Sequence, residues 1–195
     1  MSRQPSVYLA GPDIFRKDAE AFAQWQKEIC EKYGIIPMHP MDNNLDIDFT
    51  DTSIETRKKV YEADMSQMLE ADIICANMNT FRGSEPDSGT CFEAGFFAGF
   101  NEALKALGMS IPAKPLYGYI NTPSRYKERA NTWNTENPDK TDSGSDWNIS
   151  GVEMHVNLMM EVPMHETGAF ITSGFEDCIA QIAEDFKSKK FKIAA

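Results

Sequence analysis

The amino-acid sequence predicts an α/β fold, a three-layer sandwich with helices on both faces of a mainly parallel sheet. Short apolar runs alternate with longer segments of helical spacing along the chain, the order expected of parallel strands joined by helical crossovers. One of those runs, Asp72 to Met78 (DIICANM), is apolar at nearly every position, as a strand covered on both faces has to be. The first run, SVYLA, stops abruptly at Gly11-Pro12, a turn signal that fits a buried strand reaching the edge of a sheet.

In chain order, Ser6 to Ala10 is the first strand. Residues 17–33 follow as a helix, with Phe22, Trp25, Ile29 and Tyr33 at helical spacing and Gly34 as its stop. Ile35 to Met38 is a second strand. Residues 53–71 form a helix for which Ser53 is a good N-cap. After the central strand a Gly/Ser/Pro/Asp loop, 79–88, leads into a long helix, 89–107, and Leu116 to Ile120 is a fourth strand. Residues 173–188 form the last helix, with Phe175, Cys178, Ile179, Ile182 and Phe186 on one stripe. The stretch from 121 to about 151 breaks the alternation: it is polar and rich in Asn, Thr, Asp and Ser. Loops of that length are uncommon unless functional or disordered. With Trp133 and Trp147 inside it, the stretch reads as a lid or oligomer contact, inserted into a single domain over residues 1–195.

The composition narrows the function classes. A chain of 195 residues carries 19 Lys+Arg against 30 Asp+Glu, a net charge of −11. Phosphate backbones and anionic membrane surfaces select basic faces, so neither a nucleic acid nor a membrane is the expected partner. No apolar run approaches the roughly 18–20 residues of a membrane span, and the opening MSRQPSVYLAGP lacks an apolar signal core. The expected location is the cytoplasm. Cys30, Cys75, Cys91 and Cys178 are scattered without a CxxC pair, three of them beside Ile29, Ile73 and Ile74, and Phe92; free buried thiols are the expected state. His39, His155 and His165 show no ligand spacing, so no metal site is expected. The eleven methionines read as core filler.

Two acids stand where apolar side chains are expected. On a helix from Gly89, Glu93 aligns with Phe96, Phe97, Phe100 and Leu104. Either Glu93 is held in a low-dielectric pocket near the helix's positive end, or it is a solvated charge complementing the dipole. Asp64 lies four residues after Val60 and four before Met68, interrupting the stripe of its own helix. It is either a second crevice acid or a solvated helix acid paired with Lys58 or Lys59. Ligands of open α/β sheets bind at the carboxyl ends of the strands, where the GPDIF turn and the 79–88 loop both reach. Two carboxylates facing one such crevice are what glycosyl transfer requires. Gly89 permits close approach at the helix start, and Gly95 and Gly99 leave a bare groove. Neither YLAGP nor GSEPDSG is a phosphate loop, and Asp13 would repel a phosphate. No nucleotide triphosphate or dinucleotide cofactor is expected.

The residues Tyr8-Leu9-Ala10-Gly11-Pro12, the Ala71-Asp72-Ile73 start of the central strand, and the run Arg82-Gly83-Ser84-Glu85-Pro86-Asp87-Ser88-Gly89-Thr90-Cys91-Phe92-Glu93-Ala94-Gly95 resemble the nucleoside 2-deoxyribosyltransferases. Asn157-Leu158-Met159 is similar to that family's C-terminal NLM segment, so the resemblance spans residue 7 to about 182. It implies a flavodoxin-like sandwich with a five-stranded sheet, and a homo-oligomer whose active sites are shared between subunits. It further implies that Glu93 is the nucleophile, that Tyr8 orients it, and that Asp64 contacts the nucleobase. Asp87 would bind the deoxyribose hydroxyls, Gly11 and Gly89 would line the substrate, and Asn157, with Met159 beside it, would reach the sugar 5′-hydroxyl from a neighbouring subunit. The 41–52 and 121–151 segments depart from the family pattern. The function so implied is transfer of 2-deoxyribose from a 2′-deoxynucleoside to a free nucleobase, in nucleoside salvage. The alternatives are N-glycosidic hydrolysis of a deoxynucleoside or deoxynucleotide by the same glutamate, and a non-catalytic nucleoside-binding module.

Overall fold

The computed structural model describes residues 3–43, 45, 47–48, 50–138 and 153–193. Its strands are β1 (Ser6–Ala10), β2 (Ile36–Met38), β3 (Ile73–Asn77), β4 (Leu116–Tyr119) and β5 (Ala169–Ile171). They form one sheet in the order β2-β1-β3-β4-β5, every pair parallel. The chain starts at β1, steps out to β2, then crosses back over β1 to β3. The strand order therefore reverses between β1 and β3, which opens a crevice at their carboxyl ends.

The helices are α1 (Ala19–Lys32), α2 (Ile54–Glu70), α3 (Ser88–Ala106), α4 (Tyr126–Glu136), α5 (Leu158–Thr167) and α6 (Phe175–Lys187). Side-chain alternation along the strands divides the core in two. Val7, Leu9, Ile73, Cys75, Tyr117 and Tyr119 pack with Cys30 of α1 and with Phe175, Ile179 and Ile182 of α6. Tyr8, Ala10, Ile74, Ala76 and Leu116 pack on the other face with Met68 of α2, Ala94 and Phe97 of α3, and Met164 of α5. β1 and β3 are buried at every position, which is why both read as continuous apolar runs.

Local signals set the helix ends. The Ser53 hydroxyl accepts the Thr56 backbone N–H at 3.3 Å, and Gly34 closes α1 at φ +74°, where a β-carbon would be strained. Cys30, Cys75 and Cys178 are buried free thiols, with Cys75 and Cys178 sulfurs 3.6 Å apart, whereas Cys91 is only half-buried. Among the described residues no helix is long and apolar enough to cross a membrane.

One expectation is corrected. The 121–151 stretch is not one polar loop: Tyr126–Glu136 is helical, closed at its start by Glu128 Oε2 accepting the Arg125 backbone N–H at 3.0 Å. Trp133 sits half-buried on that helix, and Trp147 lies outside the described residues. The sequence reading also passed over α5, which carries Pro163 inside it, and this hides its helical period. β5 follows directly. Gly168 makes that junction possible, because a β-carbon there would collide with the Leu116 carbonyl.

Candidate active site

Tyr8 points from the middle of β1 to the α2/α3 face and is fully buried. Glu93 lies one turn before Phe97 on the same face of α3, and Phe97 is also fully buried, so packing Phe97 carries Glu93 inward. The Tyr8 hydroxyl donates to Glu93 Oε1 at 2.7 Å. Burial pushes the Glu93 carboxyl up to about 7; the Tyr8 hydrogen bond pulls it down, and the charges of Asp64 and Asp87 push it further up. Burial, and then the Glu93 charge, hold the Tyr8 hydroxyl protonated, so it remains a donor. Of the two readings open for Glu93, the pocket is the one observed.

Asp64 approaches the same pair from α2, near enough for its charge to act on both Glu93 and Tyr8. Burial raises its pKa, offset in part by a hydrogen bond with Asn43. Its Oδ1 is buried with no hydrogen-bond partner among the described residues. Of the two lysines that could have paired with it, Lys58 pairs instead with Glu62, at 3.5 Å. Two carboxyls this close cannot both ionise freely, so the pair holds a proton more readily than either acid would alone. Asn43 was not legible from any motif; it lies in the 41–52 segment that departs from the family pattern.

Asp87 is the N-cap of α3, where its Oδ2 accepts the Thr90 backbone N–H at 3.0 Å and the Thr90 hydroxyl at 3.3 Å. Gly89 leaves space for that carboxylate: a β-carbon would sit 2.9 Å from Asp87 Oδ2. A β-carbon at Gly11 would lie 2.9 Å from both Asn77 Cβ and Asp13 Oδ2, so Gly11 is required for space. Gly95 faces the Met160 methyl at 3.8 Å, while nothing described lies within 4 Å of the β-carbon position at Gly99.

Asn157 stands just before Leu158, the first residue of α5. It is exposed and is the N-cap of α5, its Oδ1 accepting the Met159 N–H at 3.0 Å. Met159 is 69% exposed. A residue absent from the sequence reading fixes this segment: Glu161, 3% exposed, accepts the backbone N–H groups of His155 (2.6 Å) and Val156 (3.1 Å) and contacts the His155 and His165 rings. Burial alone would raise the Glu161 carboxyl, but the hydrogen bonds from His155 and Val156 hold it below the usual range. An acid inside a Met/Leu-rich stretch was the signal available. Among the described residues no group of three or more His, Cys, Asp or Glu side chains is arranged to hold a metal ion.

The Tyr8–Glu93 hydrogen bond makes a pH prediction. A nucleophilic Glu93 must be ionised, so the reaction rate should rise with pH through about 7. Tyr8→Phe removes the hydrogen bond that favours the carboxylate. The acid limb of its pH–rate profile should therefore move to higher pH, with a rate near wild type well above it. A limb that stays in place assigns the ionisation to another group.

A flavodoxin-like sheet order, with a hydrogen-bonded tyrosine–glutamate pair and a second acid on one face of the switch-point strands, defines the class of protein. The chain belongs to the nucleoside 2-deoxyribosyltransferase family, whose model matches residues 7–159. It is 27% identical over 202 residues to an uncharacterized protein of Schizosaccharomyces pombe, covering 98% of this chain and 89% of the relative. Its fold is similar to that of a 2-desoxiribosyltransferase from Leishmania mexicana (TM-score 0.57, 21% identity, 92% of this chain and 97% of that one). It is also similar to that of a conserved protein from Enterococcus faecalis (TM-score 0.55, 20% identity, 93% and 98%).

Proposed function

We propose that this protein transfers the 2-deoxyribosyl group of a 2′-deoxynucleoside to a free nucleobase. The observation that carries this reading is the half-buried Glu93 carboxyl, held at 2.7 Å by the Tyr8 hydroxyl with the acid Asp64 beside it. In the first half-reaction a Glu93 carboxylate oxygen attacks C1′ as the bond from C1′ to the base nitrogen breaks. Asp64 gives its proton to the departing base. An incoming base then attacks C1′ of the glutamyl ester from the same face, its proton passes to Asp64, and Glu93 leaves as carboxylate, so configuration is retained. Asp87 and the Gly11 and Gly89 backbones would contact the sugar. The acidic surface favours neutral nucleosides over nucleotides.

Incubation of a 2′-deoxynucleoside with a second free base tests the reading: the swapped nucleoside should form. Accumulation of free deoxyribose in its place would make the protein an N-glycosidic hydrolase using the same glutamate. Absence of both products would leave a nucleoside-binding module.

We further propose that Asn157 completes the site of a neighbouring subunit in a homo-oligomer. Asn157 is exposed at the start of a helix whose Leu158, Met159 and Val162 are 49%, 69% and 38% exposed, an apolar set that suits a partner surface. Mixing Glu93→Ala and Asn157→Ala chains under subunit exchange should restore activity, because some mixed sites then hold both residues intact. Persistent inactivity in demonstrated mixed oligomers refutes the shared site.

A further inference from the structure

A cavity of about 390 Å³ opens at the same sheet edge but on the α1/α6 face, opposite Tyr8 and Glu93. Asn77 and Tyr119, at the ends of β3 and β4, line it; Tyr119 belongs to the α6-facing core, and alternation along β3 puts Asn77 on that face with Ile73 and Cys75. Pockets of roughly 300–1,000 Å³ hold small organic ligands.

The walls are aromatic. Phe22, Trp25, Phe175 and Tyr119 form a continuous chain of rings, with successive centroids 5.1, 5.4 and 5.6 Å apart. Asp13 supplies the carboxylate of the lining, beside the neutral polar side chains of Asn77, Asn79, Thr80 and Asn121. Asn77 donates to its Oδ2 at 2.9 Å, and Asn77 Oδ1 is itself occupied by the Asn79 side chain at 2.6 Å. Gln26, 3% exposed, also hydrogen-bonds to Asp13. Gly11 keeps the space in which Asp13 and Asn77 meet. Asp13 is thus a braced acceptor in an aromatic box, and burial raises its pKa.

The charges at the mouth select the ligand. Arg16 is taken by Asp18 through two hydrogen bonds, at 2.9 and 3.0 Å, and lies over the Phe22 ring at 4.1 Å. Arg82 lies over Phe15 and Phe81, two further rings of the lining. Cations already cover these ring faces, which disfavours an ammonium ligand, and Asp13 disfavours a phosphate. Flat apolar walls with one carboxyl acceptor suit a neutral planar heterocycle that donates adjacent N–H groups. We propose that this cavity is a second, non-catalytic site that binds a free aminated nucleobase, stacked on Trp25 and hydrogen-bonded to Asp13.

The test is titration with 2-aminopurine, whose fluorescence falls on stacking, against the wild-type protein and its variants. Binding should survive Asp64→Asn, in the opposite crevice, and weaken about tenfold or more in Asp13→Asn, the loss of one charge-assisted hydrogen bond. Should Asp13→Asn melt early, Trp25→Leu, at a ring 39% exposed, serves the same comparison. No binding, or binding lost in Asp64→Asn and kept in Asp13→Asn, overturns the proposal. The readout is binding, so its failure leaves the transfer reading at Glu93 intact.

Discussion

Glu93→Ala should lower 2-deoxyribosyl transfer by on the order of 10³- to 10⁶-fold, the loss typical of an essential nucleophile. Without the carboxylate no sugar ester can form, and the remaining groups can only bind and orient. Mass spectrometry of wild-type protein quenched with deoxynucleoside alone should find a deoxyribose adduct on the peptide containing Glu93. An adduct elsewhere, or near-wild-type turnover in the variant, sinks the assignment. The same residue carries a stability signature. Its pKa is raised from an ordinary 4.5 to about 7 by burial, so between those values the folded chain holds a proton that the unfolded chain has released. Stability contributed by that proton is full below about 4.5 and is lost as pH rises through about 7. Glu93→Gln, which has no proton to lose, should therefore gain thermal stability relative to wild type above pH 7 and not below pH 4.5. A pH-independent difference would mean that Glu93 is not titrating in its pocket.

Asp64→Asn should slow base exchange by about 10²- to 10⁴-fold, the usual contribution of a positioned general acid or base. The amide keeps the volume but can neither give a proton to the leaving base nor take one from the incoming base. The pH–rate profile should lose one limb, because the variant has one titrating acid fewer at the site. Asp64 Oδ1 has no partner to lose among the described residues, so the fold should hold and the thermal midpoint should change little. Collapse of stability with an unchanged pH profile would make Asp64 a structural helix residue.

Much of this site was legible before any coordinates. Glu93 and Asp64 each broke the apolar stripe of a helix, and a charge inside an apolar period is visible in one dimension. The strands β1 and β3 were legible because burial on both faces writes a continuous apolar run. Helix α5 was not, because Pro163 and a Met-rich composition blur the 3.6-residue period. β5 is three half-buried residues at the sheet edge, too short to show a pattern. Glu161 escaped because two of its partners are backbone N–H groups, which carry no side-chain signature.

The sequence by itself determined the alternating architecture, the switch-point edge and the two anomalous acids, since these follow from periodicity and local capping. Tertiary structure alone decided that Tyr8 reaches Glu93, that Asp64 is paired with Asn43 and not with Lys58, and that Asn157 faces outward as a helix cap. It also decided that Asp13, Asn77 and the α1/α6 rings enclose a separate cavity. The reason is physical: a pKa, a hydrogen bond and a cavity depend on groups far apart in the chain, Tyr8 and Glu93 being 85 residues apart. Only folding brings such groups within a few ångströms and removes the water between them.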